Sequence, residues 1–398
     1  MGRPGYAASG AAGGRSMAED HRFPCPACGA DLRFSPAEGA LRCDHCGRVE
    51  PIVAGGPWAS PARELDYRAA LDRALPEAEM AEARTVHCDG CGAVIAFEAA
   101  SHAGECPFCA SPLVIDTGAR RYIKPRGLLP FHLDEAAARQ AMTDWLGRLW
   151  FAPNGLRRYA RKGRRMQGIY VPYWTYDART ASRYRGQRGT VYFETRMVSV
   201  GGKRQMQQVP RTRWRPVSGQ VARAFDDILV LAATSLPKRY TDALAPWDLS
   251  SLAPYDPAFL AGFRAEAYTV ALADGFAEAR AFMDRMIERD IRFDIGGDRQ
   301  MIEHVETQVA DVTFKHVLLP VWLAAYRYNG RTYRFVVNGR SGAVQGERPW
   351  SVWKILLAVT LGLLVAVAIG YAAAVEQMAP GRAGGPGRPD LPRIELPY

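Results

Sequence analysis

The sequence predicts an α+β protein built from two small tandem zinc ribbons, a β-rich α+β domain and one C-terminal transmembrane helix. Three observations carry this prediction: paired cysteines near the N-terminus, mixed helical and strand patterns in the middle, and one long apolar run near the end. The predicted boundaries are a disordered N-terminus (1–20), zinc ribbon 1 (21–50), a linker with a short helix (51–84), zinc ribbon 2 (85–117), the α+β domain (118–350), the transmembrane helix (351–376) and a Pro/Gly-rich external tail (377–398).

The composition excludes a chain that is disordered throughout. Hydrophobic residues make up 48% of the 398 residues and charged residues 23%, which is ordinary for globular domains. The net charge of +10 favours anionic partners without selecting among them. The first sixteen residues are rich in glycine and alanine and lack the hydrophobic segment of an export signal; Met17 is a plausible alternative start.

The eight cysteines form two repeated sets of four. In each set, 14 residues separate two C-x-x-C pairs, a spacing close to that of tetrathiolate zinc sites. The second set follows the first at an offset of 63 residues, and Leu32 then matches Ile95 while Phe34 matches Phe97. The predicted ligands of two structural Zn²⁺ ions are Cys25, Cys28, Cys43 and Cys46 in the first set and Cys88, Cys91, Cys106 and Cys109 in the second.

Two other uses of these cysteines fit the sequence less well. A disulfide framework requires export, for which the N-terminus offers no signal. A redox function rarely uses four evenly paired C-x-x-C motifs, and no βαβ pattern surrounds them. Each set already has four sulfurs, so we expect the neighbouring His45, His87 and His102 to lie at the surface or beside the ligands.

Two long helices and one short helix are predicted outside the membrane. Apolar residues recur at helical spacing over residues 134–150, where Asp134 and Glu135 suit the positive N-terminal end, and again over residues 275–289. A shorter helix is predicted within residues 61–75.

The strands of the α+β domain are predicted from aromatic and β-branched segments. These segments, separated by glycine-containing turns such as 201–202, cover residues 168–176, 189–195, 214–224 and 291–295. Asn329-Gly330 between alternating residues predicts a tight hairpin. Residues 169–174 also resemble residues 318–322, which reflects either a duplication or two strands with a similar proline-then-aromatic start.

The uncharged run of 21 residues from Ile355 to Val375 predicts a membrane-spanning helix. Such a helix is about 31 Å long, which matches the hydrocarbon core of a bilayer. Basic residues flank both ends about equally, so charge does not orient it. Thiolate zinc sites need a reducing compartment, so we expect a single-pass inner-membrane protein with residues 1–354 in the cytoplasm.

Two basic clusters are candidate anionic-surface binding sites for nucleic acid or for anionic lipid of the inner leaflet. Solvated loops and strand edges are an equally plausible interpretation. The first cluster comprises Arg157, Arg158, Arg161, Lys162, Arg164 and Arg165, and the second comprises Lys203, Arg204, Arg211, Arg213 and Arg215.

The sequence predicts no enzyme. It contains no G-x-x-x-x-G-K-[ST], G-x-S-x-G or H-E-x-x-H motif. Asp134-Glu135 is similar to a helicase acidic box but opens a helix and has no phosphate loop to accompany it. Ser235 and Lys238 fit S-x-x-K, but Pro237 disturbs the helical turn that would bring the two together.

Several segments resemble bacterial membrane-anchored zinc-ribbon proteins of the TFIIB-type zinc-finger family. They are Phe23-Pro-Cys-Pro-x-Cys-Gly-Ala-x-Leu, Glu105-Cys-Pro-Phe-Cys, Leu149-Trp-Phe-Ala-Pro-Asn, Gly168-Ile-Tyr-Val-Pro-Tyr-Trp and Phe335-Val-Val-Asn-Gly. Proteins of this kind are often named primosomal protein N′ (replication factor Y), a superfamily II helicase. The resemblance implies zinc and nucleic-acid association, although the ATP-binding motifs of a helicase are missing from this sequence.

The sequence therefore predicts a membrane-anchored cytoplasmic zinc-ribbon scaffold that recruits a protein partner at the inner membrane. The alternative is a nucleic-acid-binding protein of the primosomal or helicase-accessory type without its own ATPase motor.

Overall fold

The computed structural model describes most of the chain outside its two termini. The described residues are 23–52, 63–96, 103–109, 111–114, 119–151, 166–200, 203–328, 331–347 and 350–378. The first basic cluster, His102 and the Asn329-Gly330 turn lie outside these residues.

The N-terminal part contains short strands and small sheets. Antiparallel pairs join β1 to β2 and β2 to β3 in the first cysteine region, and β5 to β6, β7 to β8 and β5 to β9 in the second. The bounds are β1 Leu32–Ser35, β2 Ala40–Cys43, β3 Val49–Glu50, β4 Leu65–Asp66, β5 Met80–His87, β6 Val94–Ala96, β7 Ala103–Glu105, β8 Pro112–Val114 and β9 Ala119–Ile123.

A nine-stranded sheet forms the centre of the molecule, and three of its strands are exceptionally long. The middle strand β11 pairs antiparallel with β12 on one side and with β15 on the other. The nine strands of this sheet are β4, given above, and eight later strands. These are β10 Gly127–Leu128, β11 Gln167–Val200, β12 Lys203–Leu231, β13 Ala253–Pro254, β14 Arg264–Ala265, β15 Arg299–Tyr328, β16 Arg331–Asn338 and β17 Val344–Gly346.

Five α-helices accompany these strands in the described residues: α1 Tyr67–Leu71, α2 Glu135–Arg148, α3 Lys238–Asp242, α4 Leu272–Ile295 and α5 Val352–Met378. The side chain of Asp134 caps α2, because its Oδ1 accepts a hydrogen bond of 2.7 Å from the backbone N–H of Ala137. The predicted mixed α+β class is confirmed.

Helix α4 covers one face of the long sheet. Ala279, Met283, Ile287 and Ile291 are buried at the four-residue spacing of one helical stripe. They pack against Trp174 and other side chains of β11 and β12. This packing makes α4 a long amphipathic helix rather than the helix and strand that the sequence predicted.

The predicted strand over residues 291–295 is therefore wrong, since these residues form the last turn of α4. The alternation of Ile291 and Ile295 with polar residues suits a strand, but their spacing of four continues the buried helical stripe. The predicted break between the strands at 168–176 and 189–195 is also wrong, since both belong to β11.

Strand β11 continues through Gly186, and the close approach of β15 explains why this position is a glycine. A Cβ atom at this position would lie 2.3 Å from the backbone oxygen of Met301 on β15. The two backbones thus approach each other too closely for any side chain, at a point where the pairing register also shifts. The glycine marks a bulge rather than a turn.

The distal end of the long sheet is a two-stranded extension, which we call the tip ribbon (residues 188–200 and 203–215). The third strand begins only at Arg299, opposite Gly189, and α4 ends at Ile295 beside Gly186. Beyond these points β11 and β12 pair with each other and, within the described ranges, with no further strand. Eleven residues per strand extend about 35 Å past the third strand.

Helix α5 carries the apolar run. Residues Val352–Ala374 are long and apolar enough to cross a membrane, and none of this window is buried inside the structure. The helix begins beside the end of α2: the backbone N–H of Ser351 donates to the oxygen of Phe151 at 2.8 Å, and Lys354 Nζ donates to the oxygen of Trp150 at 2.9 Å.

Replacing Met283 by alanine should lower the free energy of unfolding by about 2–5 kcal/mol, because this fully buried side chain fills the α4–sheet contact. Thermal unfolding of the detergent-solubilised protein measures the effect. The matched control is Phe293→Ala on the same helix: Phe293 is 89% exposed, so its loss should change stability by less than about 0.5 kcal/mol. Equal effects of the two substitutions would contradict the assigned face of α4.

Candidate metal centres

Each set of four cysteines converges on one point. In the first set, the Sγ atoms of Cys25 and Cys46 lie 3.5 Å apart, and so do those of Cys28 and Cys43. In the second set, the corresponding distances are 3.5 Å for Cys88 and Cys109 and 3.6 Å for Cys91 and Cys106. Within each set, all four sulfurs lie within 4.8 Å of one another.

These distances fit a closed tetrahedral metal site. Four sulfurs at the Zn–S bond length of about 2.3 Å stand about 3.8 Å apart at the corners of a tetrahedron. A disulfide would require about 2.05 Å, and all eight cysteines are free. Four thiolates leave no open coordination position, so each site is structural in character and not catalytic.

Glycine closes three of the four C-x-x-C turns. Gly29, Gly47 and Gly92 each follow the second cysteine and have φ angles of +74°, +75° and +75°. Each donates its backbone N–H to the oxygen of the first cysteine, at 2.8–2.9 Å. This left-handed conformation favours glycine and allows the two thiols of a pair to face the same point.

Hydrogen bonds lower the thiol pKa of some cysteines in each set and raise that of others. The backbone N–H groups of Cys46 and His45 lower the pKa of the Cys43 thiol to about 6. The Cys91 thiol, together with backbone donors, lowers the pKa of Cys106 to about 5. A lowered pKa favours the thiolate, which is the form that binds metal, whereas the hydrogen bond to Cys106 raises the pKa of the Cys91 thiol. His45 and His87 are exposed, as predicted.

The first ribbon is packed onto the α+β domain. The backbone N–H of Phe34 in β1 donates to the oxygen of Ala261 at 2.9 Å. The Phe34 ring lies against Phe259, with 5.4 Å between the ring centroids. Cys25 and Cys43 are buried in the same apolar cluster, whereas Cys28 and Cys46 are exposed. One side of the first metal site therefore faces the domain and the other faces solvent.

The second ribbon packs onto the same segment of the α+β domain. Ile95 forms an isolated antiparallel β-bridge with Glu266, and the backbone N–H of Ala267 donates to the oxygen of Val94 at 2.9 Å. Ile95 and Phe108 are fully buried against β11 and β15. The matching positions Leu32 and Ile95 of the repeat thus both pack their ribbon against the domain. Residues 259–267 contact both ribbons.

Glu266 is a buried acid beneath the second ribbon that the sequence analysis did not identify. Its side chain is 2% exposed, and burial raises the pKa of its carboxyl to about 8. The nearby Ser235 hydroxyl opposes this rise, but burial has the larger effect. The carboxyl is therefore largely protonated at neutral pH. A single glutamate in an irregular segment gives no sequence signal of burial.

A charged cluster lies where the long sheet leaves the domain, and the sequence analysis missed it as well. Asp177, Asp226 and Asp227 lie close enough together to resemble a metal site. Lys315 pairs with two of them and with Glu64: its Nζ lies 2.7 Å from Asp227, 3.3 Å from Glu64 and 3.9 Å from Asp177. The sequence signal was one lysine just before the apolar segment 317–323 of β15.

The other residues considered for catalysis have structural partners. Glu135 accepts a hydrogen bond of 2.9 Å from the backbone N–H of Met166, and Asp134 caps α2. Ser235 is buried, while Lys238 forms ion pairs with Asp242 and Glu278. His316 is buried and its Nδ1 donates to the backbone oxygen of Ile123 at 2.8 Å, and His304 is exposed.

Strand alternation sorts the side chains of the tip ribbon onto two different faces. Residues directly opposite each other point to the same side, so the pairs Tyr192–Arg211 and Phe193–Pro210 lie on opposite faces. The basic face carries Arg188, Thr190, Tyr192, Glu194, Arg196, Gln207, Val209, Arg211, Arg213 and Arg215. The uncharged face carries Gly189, Val191, Phe193, Thr195, Met197, Met206, Gln208, Pro210, Thr212 and Trp214.

Contacts within the basic face agree with this assignment. Glu194 lies 3.2 Å from both Arg196 and Arg211, and the Arg213 guanidinium lies 5.3 Å from the centre of the Tyr192 ring. The second predicted basic cluster is thus largely one face of a ribbon. The backbones of Lys203 and Arg204 belong to β12 at its far end.

Replacing Cys28 or Cys91 by serine should lower the metal content from two ions per chain to one, because each variant breaks a different site. Metal analysis of the purified full-length protein measures the content. A chelator should remove metal faster from the first site, where two sulfurs are exposed. The Cys91→Ser variant should therefore retain the quickly released ion and Cys28→Ser the slowly released one. Two ions in either variant would disprove this grouping of ligands.

Replacing Glu266 by glutamine should stabilise the protein increasingly as the pH rises. The folded state raises the pKa of this acid from 4.5 to about 8, so it retains a proton that the unfolded chain releases. Wild-type stability from this group is therefore greatest below about pH 4.5 and is lost as the pH rises to about 8. Melting temperatures of both proteins between pH 5 and 8.5 measure the difference, and parallel curves would contradict it.

The comparisons with known proteins show one similarity over most of the chain. No protein-family model matches the sequence, and no solved structure matches it. The chain is 26% identical over 343 residues to the uncharacterized protein YdjG of Bacillus subtilis (strain 168), an alignment that covers 84% of this chain and 91% of that protein. None of these comparisons supports the primosomal or helicase name. The chain is thus similar over nearly its whole length to a protein whose name states no function.

Proposed function

We propose that this protein is a membrane-anchored scaffold that recruits a protein partner at the inner membrane, through the basic face of its tip ribbon. The observation that carries this proposal is the separation of charge on that ribbon. Five arginines and one glutamate share one face, and the opposite face has no charged residue over residues 189–197 of β11 and 206–214 of β12. A protein partner that fits this face has an acidic surface.

The basic face is accessible as well as charged. Arg211, Arg213 and Arg215 are exposed, and they repeat every second residue of β12, which is about 6.8 Å along a strand. Exposed arginines of this kind contribute more to the speed and selectivity of association than to its strength. Recruitment that is selective and reversible fits such a surface.

The proposed role of the metal sites is to hold the ribbons on the domain. The four-sulfur geometry supports Zn²⁺ in both sites. Bound Zn²⁺ would stabilise each ribbon by linking its two C-x-x-C turns. Cysteine thiolates persist in a reducing compartment, which supports a cytoplasmic location for the part of the chain before α5. Helix α5 would then be the anchor.

Nucleic-acid association is the second candidate function, and the same face favours it. Each strand of a DNA duplex has one phosphate per about 3.4 Å of axis, so arginines spaced by about 6.8 Å can meet every second phosphate. Tyr192 adds an aromatic ring, 43% exposed, on which a base can stack. Anionic lipid would be attracted by the same charge.

The test is affinity capture of the full-length protein from gently solubilised membranes, with and without nuclease treatment. The double variant Arg213→Glu/Arg215→Glu reverses two charges on the basic face. The control Arg285→Glu/Arg289→Glu makes the same change on exposed arginines of α4. We expect specific cytoplasmic proteins to bind the wild type and the control at least tenfold more than the ribbon variant, regardless of nuclease.

Other outcomes decide against this proposal. Capture that is lost after nuclease, and that falls steeply with salt, would establish nucleic-acid binding instead. Equal capture by all three proteins would remove the basic face from the function. A partner from outside the cytoplasm would show that the domain lies on the other side of the membrane.

A further inference from the structure

The uncharged face of the tip ribbon is an unusual surface for an extended hairpin. Phe193, Met197 and Met206 are 64%, 65% and 76% exposed, and they lie on the same side of the ribbon. Val191 and Trp214 continue this face toward the domain, where Met301 of β15 is a further 45% exposed. Large contiguous apolar patches on protein surfaces mark sites of association.

The described part of the chain does not cover this face. Helix α4 lies on the opposite side of the sheet, where Arg188 contacts its C-terminal glycines, and it ends before the ribbon begins. A two-stranded ribbon alone is at best marginally stable in water, because each strand has only one neighbour and no packed face. A layer packed on the uncharged face would supply the missing burial.

We propose that the tip ribbons of two copies of this chain pack together through their uncharged faces and form a dimer. Charge selects the face. Pairing through the basic faces would bring ten arginines against two glutamates, whereas the uncharged face carries no charged residue over residues 189–197 and 206–214. The register positions of Arg299 and Arg204 on that face lie at its two ends, opposite Gly189 and Ser199. In the dimer, both basic faces point outward, away from the shared interface.

The symmetry of membrane-anchored chains supports the same pairing. Two copies anchored in one bilayer by α5 lie on the same side of it, so a twofold axis relating them runs along the membrane normal. Identical ribbons then lie at equal height and can face each other across that axis. Two sheets pack in this way at about 10 Å, with the side chains of the inner faces interdigitated.

The composition of the face suits such packing. Phenylalanine and two methionines supply apolar area, and methionine adapts its shape to an irregular surface. Thr195, Gln208 and Thr212 lie between them and carry no charge that burial would penalise. Confinement to the membrane raises the effective concentration of the two ribbons and favours an interface of modest size.

Light scattering of the purified full-length protein in detergent tests the dimer. The variant Phe193→Ser/Met197→Ser/Met206→Ser removes the apolar side chains of the uncharged face, all of which are exposed within a single chain. We expect two chains per particle for the wild type and at least a tenfold weaker dimer for the variant. The control, Tyr192→Ser/Arg213→Ser, alters the basic face and should remain a dimer. A metal content of two ions per chain in both variants shows that the domain is intact.

Photo-crosslinking provides a second and independent measurement. A photoreactive amino acid at position 193 lies on the uncharged face, and one at the adjacent position 192 lies on the basic face. We expect crosslinked dimers from position 193 and none from position 192, in membranes as well as in detergent.

Three results would overturn the proposal. They are a monomeric wild type at every concentration, a dimer unaffected by the triple serine variant, and crosslinks from position 193 only to lipid or to other proteins. The inference is separable from the proposed recruitment, because the dimer is measured with the purified protein and recruitment depends on the opposite face. Either one can fail while the other holds.

Discussion

The continuous antiparallel pairing of β11 with β12 and β15 holds the other parts of this molecule in position. At its inner end, the sheet is buried beneath both ribbons and beside α2, with Trp174 and Tyr170 fully buried. In its middle, α4 covers one face. At its outer end, the same two strands β11 and β12 continue as a ribbon with both faces in solvent. A single pair of strands thus connects the domain that carries the cysteine clusters to an accessible surface.

The two candidate metal centres matter for the fold because both ribbons pack into the core of the α+β domain. Each ribbon is too small to have a sufficient core of its own, and each instead contributes buried side chains such as Phe34 and Phe108 to the core of the α+β domain. A metal ion in each site would fix the turns that orient these side chains. The ribbons are therefore better understood as parts of the domain than as freely exposed binding modules, and the accessible surface lies elsewhere, on the tip ribbon.

The two faces of the tip ribbon follow from the simplest property of a strand. Neighbouring residues point in opposite directions, so the sequence alternates arginine with threonine, proline or tryptophan between residues 210 and 215 and thereby charges only one side. The proposed recruitment and the proposed dimer use opposite sides and do not compete. A dimer would present two basic faces to a partner, which favours partners that are themselves multivalent.

The sequence by itself determined the local features whose physical origin is local. The C-x-x-C spacing predicted both four-sulfur sites, helical periodicity predicted α2 and most of α4, and hydropathy predicted α5. It could not predict that residues 291–295 remain helical, because a short apolar alternation suits either structure and only packing of Ile295 near Gly186 decides between them. Nor could it show that β11 passes through Gly186 without a turn, or that Lys315 meets three carboxylates from distant segments. Only the tertiary structure shows that the basic and the apolar side chains of the tip ribbon lie on opposite faces. The strand register decides which side chains share a face, and the end of α4 decides where that face is uncovered.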